Sequence, residues 1–194
     1  YRAVLAREPR HLDALHLLGV ARLEAGDYRQ AIELIDQALA EGLRYPEVHN
    51  HLGIAYLRVG EPSRALDCFD DALQLRSDYA EARANRGACL IDMGRPAEAA
   101  QELDAALARQ ASLPGAHRLM AAALTRLGDE QGALRALERA ADLDPRNAEL
   151  RCLLADAQKS LDHKREALNS YREALRLDPG YVPAYVNLGN LRSE

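Results

Sequence analysis

Tryptophan is absent from this chain and phenylalanine occurs once, so the large aromatic anchors of an ordinary globular core are nearly missing. Alanine and leucine must do the packing. No run approaches the roughly 20 consecutive apolar residues that a membrane-spanning helix needs, so membrane insertion is not expected. Cysteine is scarce: Cys68, Cys89 and Cys152 are odd in number, widely spaced and form no Cys-x-x-Cys. Neither a disulfide framework nor a zinc site is suggested; the three read as small helix filler, and free thiols favour a reducing compartment such as the cytoplasm. Lysine is confined to Lys159 and Lys164, which leaves arginine to carry the positive charge. With a formal net charge of −5 and a pI near 5.7, the chain lacks the positive field that general nucleic-acid binding requires, and no nucleic-acid partner is expected. Gly-rich phosphate loops, a nucleophile elbow and a His-Asp-Ser arrangement are also missing. His49 and His51, two residues apart on a helix, point roughly 200° apart and do not suit one metal ion. The chain therefore reads as non-enzymatic, without cofactor or metal.

What is present is a repeat. Ala31, Ala65, Ala99, Ala133 and Ala167 recur with a constant period of 34 residues, without a single insertion. Within one period, His49, Leu52, Gly53 and Tyr56 precede a Gly60-Glu61-Pro62 turn, and Ala65, Phe69 and Ala72 follow it, all at helical spacing. Each unit is thus a helical hairpin whose apolar face only its neighbours can cover, which predicts an all-α solenoid read as one array over 1–194. Five complete hairpins span 12–45, 46–79, 80–113, 114–147 and 148–181. Residues 1–11 read as the remainder of a truncated second helix and 182–194 as a truncated first helix, so the chain reads as an excerpt of a longer protein. Exposed apolar residues at those ends (Tyr1, Val4, Leu5, Leu188, Leu191) predict self-association there.

The punctuation follows helix chemistry. Gly26, Gly60, Gly94 and Gly128 end first helices, Asp27 is placed to cap the second helix of its hairpin, and Pro62 and Pro96 suit first turns. In the last complete hairpin Asp162 replaces the glycine, and Asp tolerates the left-handed conformation better than most residues. Gly19, Gly53, Gly87, Ala121, Ala155 and Gly189 form one small-residue column where helices must nearly touch; the Leu18, Leu52, Leu154 and Leu188 column supplies the opposing bulk. Arg83 and Arg86 occupy columns held elsewhere by leucine, so they must snorkel or pair, with Asp104 the expected neighbour. Asp70, Asp71 and Glu130 read as solvated.

The order His49-x-x-Leu52-Gly53-x-x-Tyr56, then Ala65-x-x-x-Phe69 and Ala72, with Asp-Pro closing later units, resembles the tetratricopeptide repeat (TPR), His49 standing in place of the usual Trp. The resemblance covers the whole chain. It implies a right-handed superhelix whose first helices line a concave groove, and a protein-interaction scaffold. The inner-face residues Asn50, Asn85, Arg118, Arg126 and Lys159, with their local excess of positive charge, make an acidic or Asn-rich extended protein or peptide segment the expected guest. The Lys and Asn pair with which chaperone-adaptor members clamp a terminal carboxylate has no counterpart. The Asn ladder of arrays attached to O-linked N-acetylglucosamine-type glycosyltransferases corresponds here to Leu17, His51, Asn85, Leu119, Leu153 and Asn187, a damaged version. A recognition arm of such a transferase, or a self-assembly element, are the alternatives that the resemblance leaves open.

By angle, the groove-facing residues of the first hairpin are Asp13, His16, Leu17, Val20, Leu23 and Glu24. The second offers Glu47, Asn50, His51, Ile54, Leu57 and Arg58, and the third Glu81, Ala84, Asn85, Ala88, Ile91 and Asp92. The fourth offers Gly115, Arg118, Leu119, Ala122, Thr125 and Arg126, and the fifth Glu149, Cys152, Leu153, Asp156, Lys159 and Ser160. Apolar strips with scattered polar groups suit a peptide better than a small ligand. The candidate binding residues are His16, Asn50, His51, Arg58, Asn85, Arg118, Arg126 and Lys159.

Overall fold

The computed structural model describes residues 1–8 and 10–193, all helix and turn, with no strand among the described residues. Contacts divide the chain into two compact units that meet at Arg95 and Pro96. The first contains α1 (Arg2–Leu5), α2 (Leu12–Glu24), α3 (Tyr28–Ala40), α4 (Pro46–Arg58), α5 (Pro62–Leu75) and α6 (Ala80–Asp92). The second contains α7 (Pro96–Arg109), α8 (Pro114–Leu127), α9 (Glu130–Leu143), α10 (Ala148–Ser160), α11 (Lys164–Leu177) and α12 (Val182–Ser193). Among the described residues no helix is long and apolar enough to cross a membrane.

Helix ends follow from one recurring device. At Gly60 the backbone turns left-handed (φ 82°), Glu61 N–H donates to Tyr56 C=O and Gly60 N–H to Leu57 C=O, which is the Schellman closure of α4. The same pair of bonds closes α2 at Gly26, α6 at Gly94 and α8 at Gly128. Asp162 does it without glycine: its φ is 59°, and His163 N–H reaches Gln158 C=O. N-terminal capping is less uniform. Asp129 Oδ1 accepts from Gly132 N–H and Asn147 Oδ1 from Leu150 N–H, but Asp27 makes no side-chain cap and its carboxylate faces Arg22 instead, at 3.7 Å.

Adjacent helices pack through the small-residue column. A β-carbon at Gly19 would fall 2.6 Å from Ile35 Cγ1, and one at Gly53 the same 2.6 Å from the Phe69 ring, so both positions demand glycine where first and second helices cross. In the second unit Ala121 and Ala155 take that column and are buried. Around Phe69 the first unit gathers Leu15, Ile35, Val48, Leu52 and Tyr56; the second gathers Tyr171, Ala184, Leu188 and Leu191 near its end. That last cluster corrects an expectation. Leu188 and Leu191 lie on the face of α12 that packs on α11, one and two helical turns from Ala184, so they are buried, and the exposed large apolar residues of α12 are Val182, Tyr185 and Val186. Tyr1 and Val4 are exposed and Leu5 is half-buried.

Arg86 resolves its burial by pairing: its Nε donates to Asp70 Oδ1 at 2.6 Å, and Arg83 donates to Ser77 C=O at 3.1 Å. Asp70 is therefore a partner rather than a merely solvated carboxylate. Asp71 likewise faces His49 Nδ1 at 3.5 Å.

Candidate functional site

In the first unit the first helices α2, α4 and α6 lie side by side, and polar side chains link them diagonally. His16 Nε2 and His51 Nδ1 share a hydrogen bond of 3.0 Å, and Asn85 Nδ2 donates to Asn50 Oδ1 at 2.9 Å. Each link joins a residue to one 35 positions on, a repeat plus one residue, so the helices meet one position out of register with the sequence period. Asn50 is 4% exposed and His16 9%; His51 and Asn85 are half-buried. Burial pushes the pKa of both imidazoles below the ordinary histidine value; for His16 the neighbouring His51 adds to that, while Asp13 and Glu47 oppose it. For His51, Glu47 and Glu24 oppose the burial. Which ring nitrogen of the pair donates and which accepts follows from the tautomers the two imidazoles adopt.

These positions amend the angular reading. His16, Asn50, Ala84 and Cys152 of one column are buried rather than open, each filling the contact between neighbouring helices, whereas Arg118 in the same column is exposed. Ile91 is buried as well. Arg58 is exposed on the last turn of α4, apart from the His16–His51 and Asn50–Asn85 links. Glu47 is tied to Arg76 at 2.9 Å, whose guanidinium stacks 3.8 Å over the Tyr79 ring.

In the second unit α8, α9 and α10 enclose a cleft of about 460 Å³. Its floor is apolar, from Ala121, Ala122, Ala133, Leu137, Leu153 and Ala157. Charged and hydroxyl groups surround it: Arg118 and Arg126 on α8, Glu130 on α9, Asp156 and Ser160 on α10, with Thr125 donating back to Ala121 C=O. Seven of the residues assigned by angle to the groove line this cleft, namely Arg118, Ala122, Thr125, Arg126, Leu153, Asp156 and Ser160. Lys159 lines a smaller hollow of about 290 Å³ beside it, with Asp156, Ser160, Tyr171 and Asn187.

Asp156 is held there by two donors that angular reading alone does not reveal. The Tyr171 hydroxyl and Asn187 Nδ2 both donate to Asp156 Oδ1, the latter at 2.8 Å. Burial, then the bond to Asp156, drives the Tyr171 phenol far above its usual range. A signal was present in the sequence: Tyr171 takes the Phe69 column and Asp156 the Ile54 column, so one hairpin carries two polar exceptions that satisfy each other. A comparable group in the first unit joins Tyr56, Asp36 and Arg64. Tyr56 donates to Asp36 Oδ2 at 3.1 Å, Arg64 donates to the Tyr56 oxygen, and burial with Asp36 raises the phenol to about 12. All three thiols are buried, which raises Cys68 to about 12 and Cys89 and Cys152 to about 11, so they remain protonated and unreactive at neutral pH.

Family models described as Tetratricopeptide repeat match residues 1–46 and 16–80, 56–123, 114–157 and 148–181. The chain belongs to the tetratricopeptide repeat family. Solved TPR structures share its fold. A thermophilic TPR protein of Thermus thermophilus is 22% identical, with a TM-score of 0.79 over 94% of this chain and 100% of that one. YrrB, described as a TPR protein with an unusual peptide-binding site, is 16% identical with a TM-score of 0.68 over 96% of each chain. In the APC/C hetero-tetramer Cut9–Hcn1, one chain matches with a TM-score of 0.87 at 16% identity, over 96% of this TPR chain but 37% of its own length. No curated protein matches the sequence significantly.

Proposed function

We propose that this TPR chain is a non-enzymatic interaction scaffold that holds an extended peptide segment against its first helices, with the cleft of α8, α9 and α10 as a principal seat. Family membership supports a protein-interaction scaffold in general, and the cleft supports the finer reading. An apolar floor beside two arginines accommodates an apolar side chain and places an adjacent carboxylate of the guest within reach of Arg118 and Arg126. Glu130 and Asp156 on the facing side limit the guest to a segment of mixed character, in which the acidic group must fall on the α8 side. In the first unit, the half-buried Asn85 keeps its amide oxygen beyond the bond that its nitrogen donates to the buried Asn50, an acceptor of the kind that pairs with a peptide backbone. YrrB, with its peptide-binding site, gives the reading a precedent on the same fold.

The test begins with peptides selected on the intact chain. Arg118→Glu combined with Arg126→Glu is expected to abolish binding while leaving helical content unchanged, because both side chains are exposed on α8. Retention of full affinity by that double variant would overturn the cleft assignment.

A further inference from the structure

On the side of α9 and α10 opposite the cleft lies a second hollow, of about 600 Å³. Its α9 wall is built from residues at helical spacing, Arg135, Glu138, Arg139 and Asp142. The order sets Arg135 against Arg139 and Glu138 against Asp142 as like-charge pairs at i,i+4, and Arg135 against Glu138 and Arg139 against Asp142 as opposite-charge neighbours at i,i+3. Arg151 enters from the first turns of α10, and its Nε is buried without a hydrogen-bond acceptor. Glu173 on α11 feels that charge; its carboxyl is held below its usual range first by the bond from Arg176 and then by Arg151. Among the described residues, no ion pair engages Arg135, Arg139 or Arg151. Three guanidinium groups with unused donors thus share one hollow, and one of them has an N–H already removed from water.

We propose that this hollow binds a phosphate monoester carried on a partner peptide, with Arg135, Arg139 and Arg151 as the donors. Guanidinium forks match the oxygens of carboxylates and phosphates. A phosphate presents three acceptor oxygens and close to two negative charges, enough to engage three arginines against the opposing charge of Glu138 and Asp142, where a carboxylate offers two oxygens and one charge. The hollow is far larger than the ~30 Å³ that one water occupies in the liquid, which leaves room for the segment carrying the ester. Leu154 supplies an apolar surface for its carbon atoms, and the carboxylates of Glu138 and Asp142 accept from its backbone N–H groups.

The probe is a short alanine-based peptide with one central phosphoserine, titrated into the full chain at low salt alongside its unphosphorylated and glutamate forms, inorganic phosphate and free O-phosphoserine. One phosphopeptide per chain is expected. Arg139→Gln and Arg151→Gln should each weaken it by about tenfold or more. Arg151→Lys, which keeps the charge but loses the fork, should weaken it as well, and Arg29→Gln, at an exposed position of α3 outside both hollows, should not. Arg135→Gln alters an exposed side chain, so its helicity and melting curve should match the parent while binding falls. Phosphopeptide binding that is undetectable, or unaffected by every one of these arginine changes in the hollow, would overturn the proposal. Equal binding of the glutamate peptide would overturn the dianion assignment, and equal binding of free O-phosphoserine or inorganic phosphate would overturn the peptide assignment.

Discussion

A histidine pair buried between two helices gives the first unit a built-in sensitivity to acid. Both imidazoles have folded-state pKa values lowered by burial, so between those values and the ordinary value near 6.5 the unfolded chain binds more protons than the folded one. Stability is then fully present above about pH 6.5 and is lost as the pH falls through the lowered values. Thermal melts from about pH 7.5 to about pH 5 should show a declining midpoint, and His16→Gln, which keeps a polar side chain but removes a titrating group, should flatten that decline. An acid profile identical in parent and variant would show that the pair does not couple to folding. The other polar clusters illustrate what a single column of sequence conceals. Tyr171 looks like a conservative substitute for Phe69, and Asp156 like an isolated polar residue on an exposed strip; only their meeting across α10 and α11 explains both.

At the scale of elements, most of the helical register was legible because its punctuation is chemical. Glycine or its substitute had to stand wherever the chain turned left-handed, and the interval between such positions fixed the hairpins. Asp162 at φ 59° marks the one place where that requirement is met at a cost, so Asp162→Gly should raise stability by about 0.5–1 kcal/mol, read as a higher melting midpoint. The close crossings make the opposite kind of prediction. At Gly53 a methyl would enter the Phe69 ring, and Ala99 is fully buried; Gly53→Ala and Ala99→Leu should each destabilise by about 1–3 kcal/mol in denaturant titrations. Unchanged midpoints would contradict the helix packing. What the period could not convey was how neighbouring first helices mesh. His16 meets His51 and Asn50 meets Asn85 one residue out of step with the repeat, an offset set by helix packing, so residues placed on the open face by angle (His16, Asn50, Cys152) lie in the contact instead.

For the whole molecule, the acidic composition pointed away from nucleic acid, while the polypeptide partner was legible only through the repeat's resemblance to the TPR; Arg118 and Arg126 line the cleft, and Arg135, Arg139 and Arg151 line the other hollow. An acidic segment bound at Arg118 and Arg126 should accordingly weaken as salt rises toward physiological strength, where the screening length is about 8 Å. The central claim, that a peptide occupies the cleft of α8, α9 and α10, is tested most directly by titrating an isotope-labelled chain with an unphosphorylated peptide selected for binding and mapping the backbone amide shifts. The account predicts saturable shifts centred on Arg118, Ala122, Thr125, Leu153 and Ser160. Shifts confined to the opposite side of α9 and α10, at Arg135, Arg139 and Arg151, with the cleft residues unmoved at saturation, would contradict it.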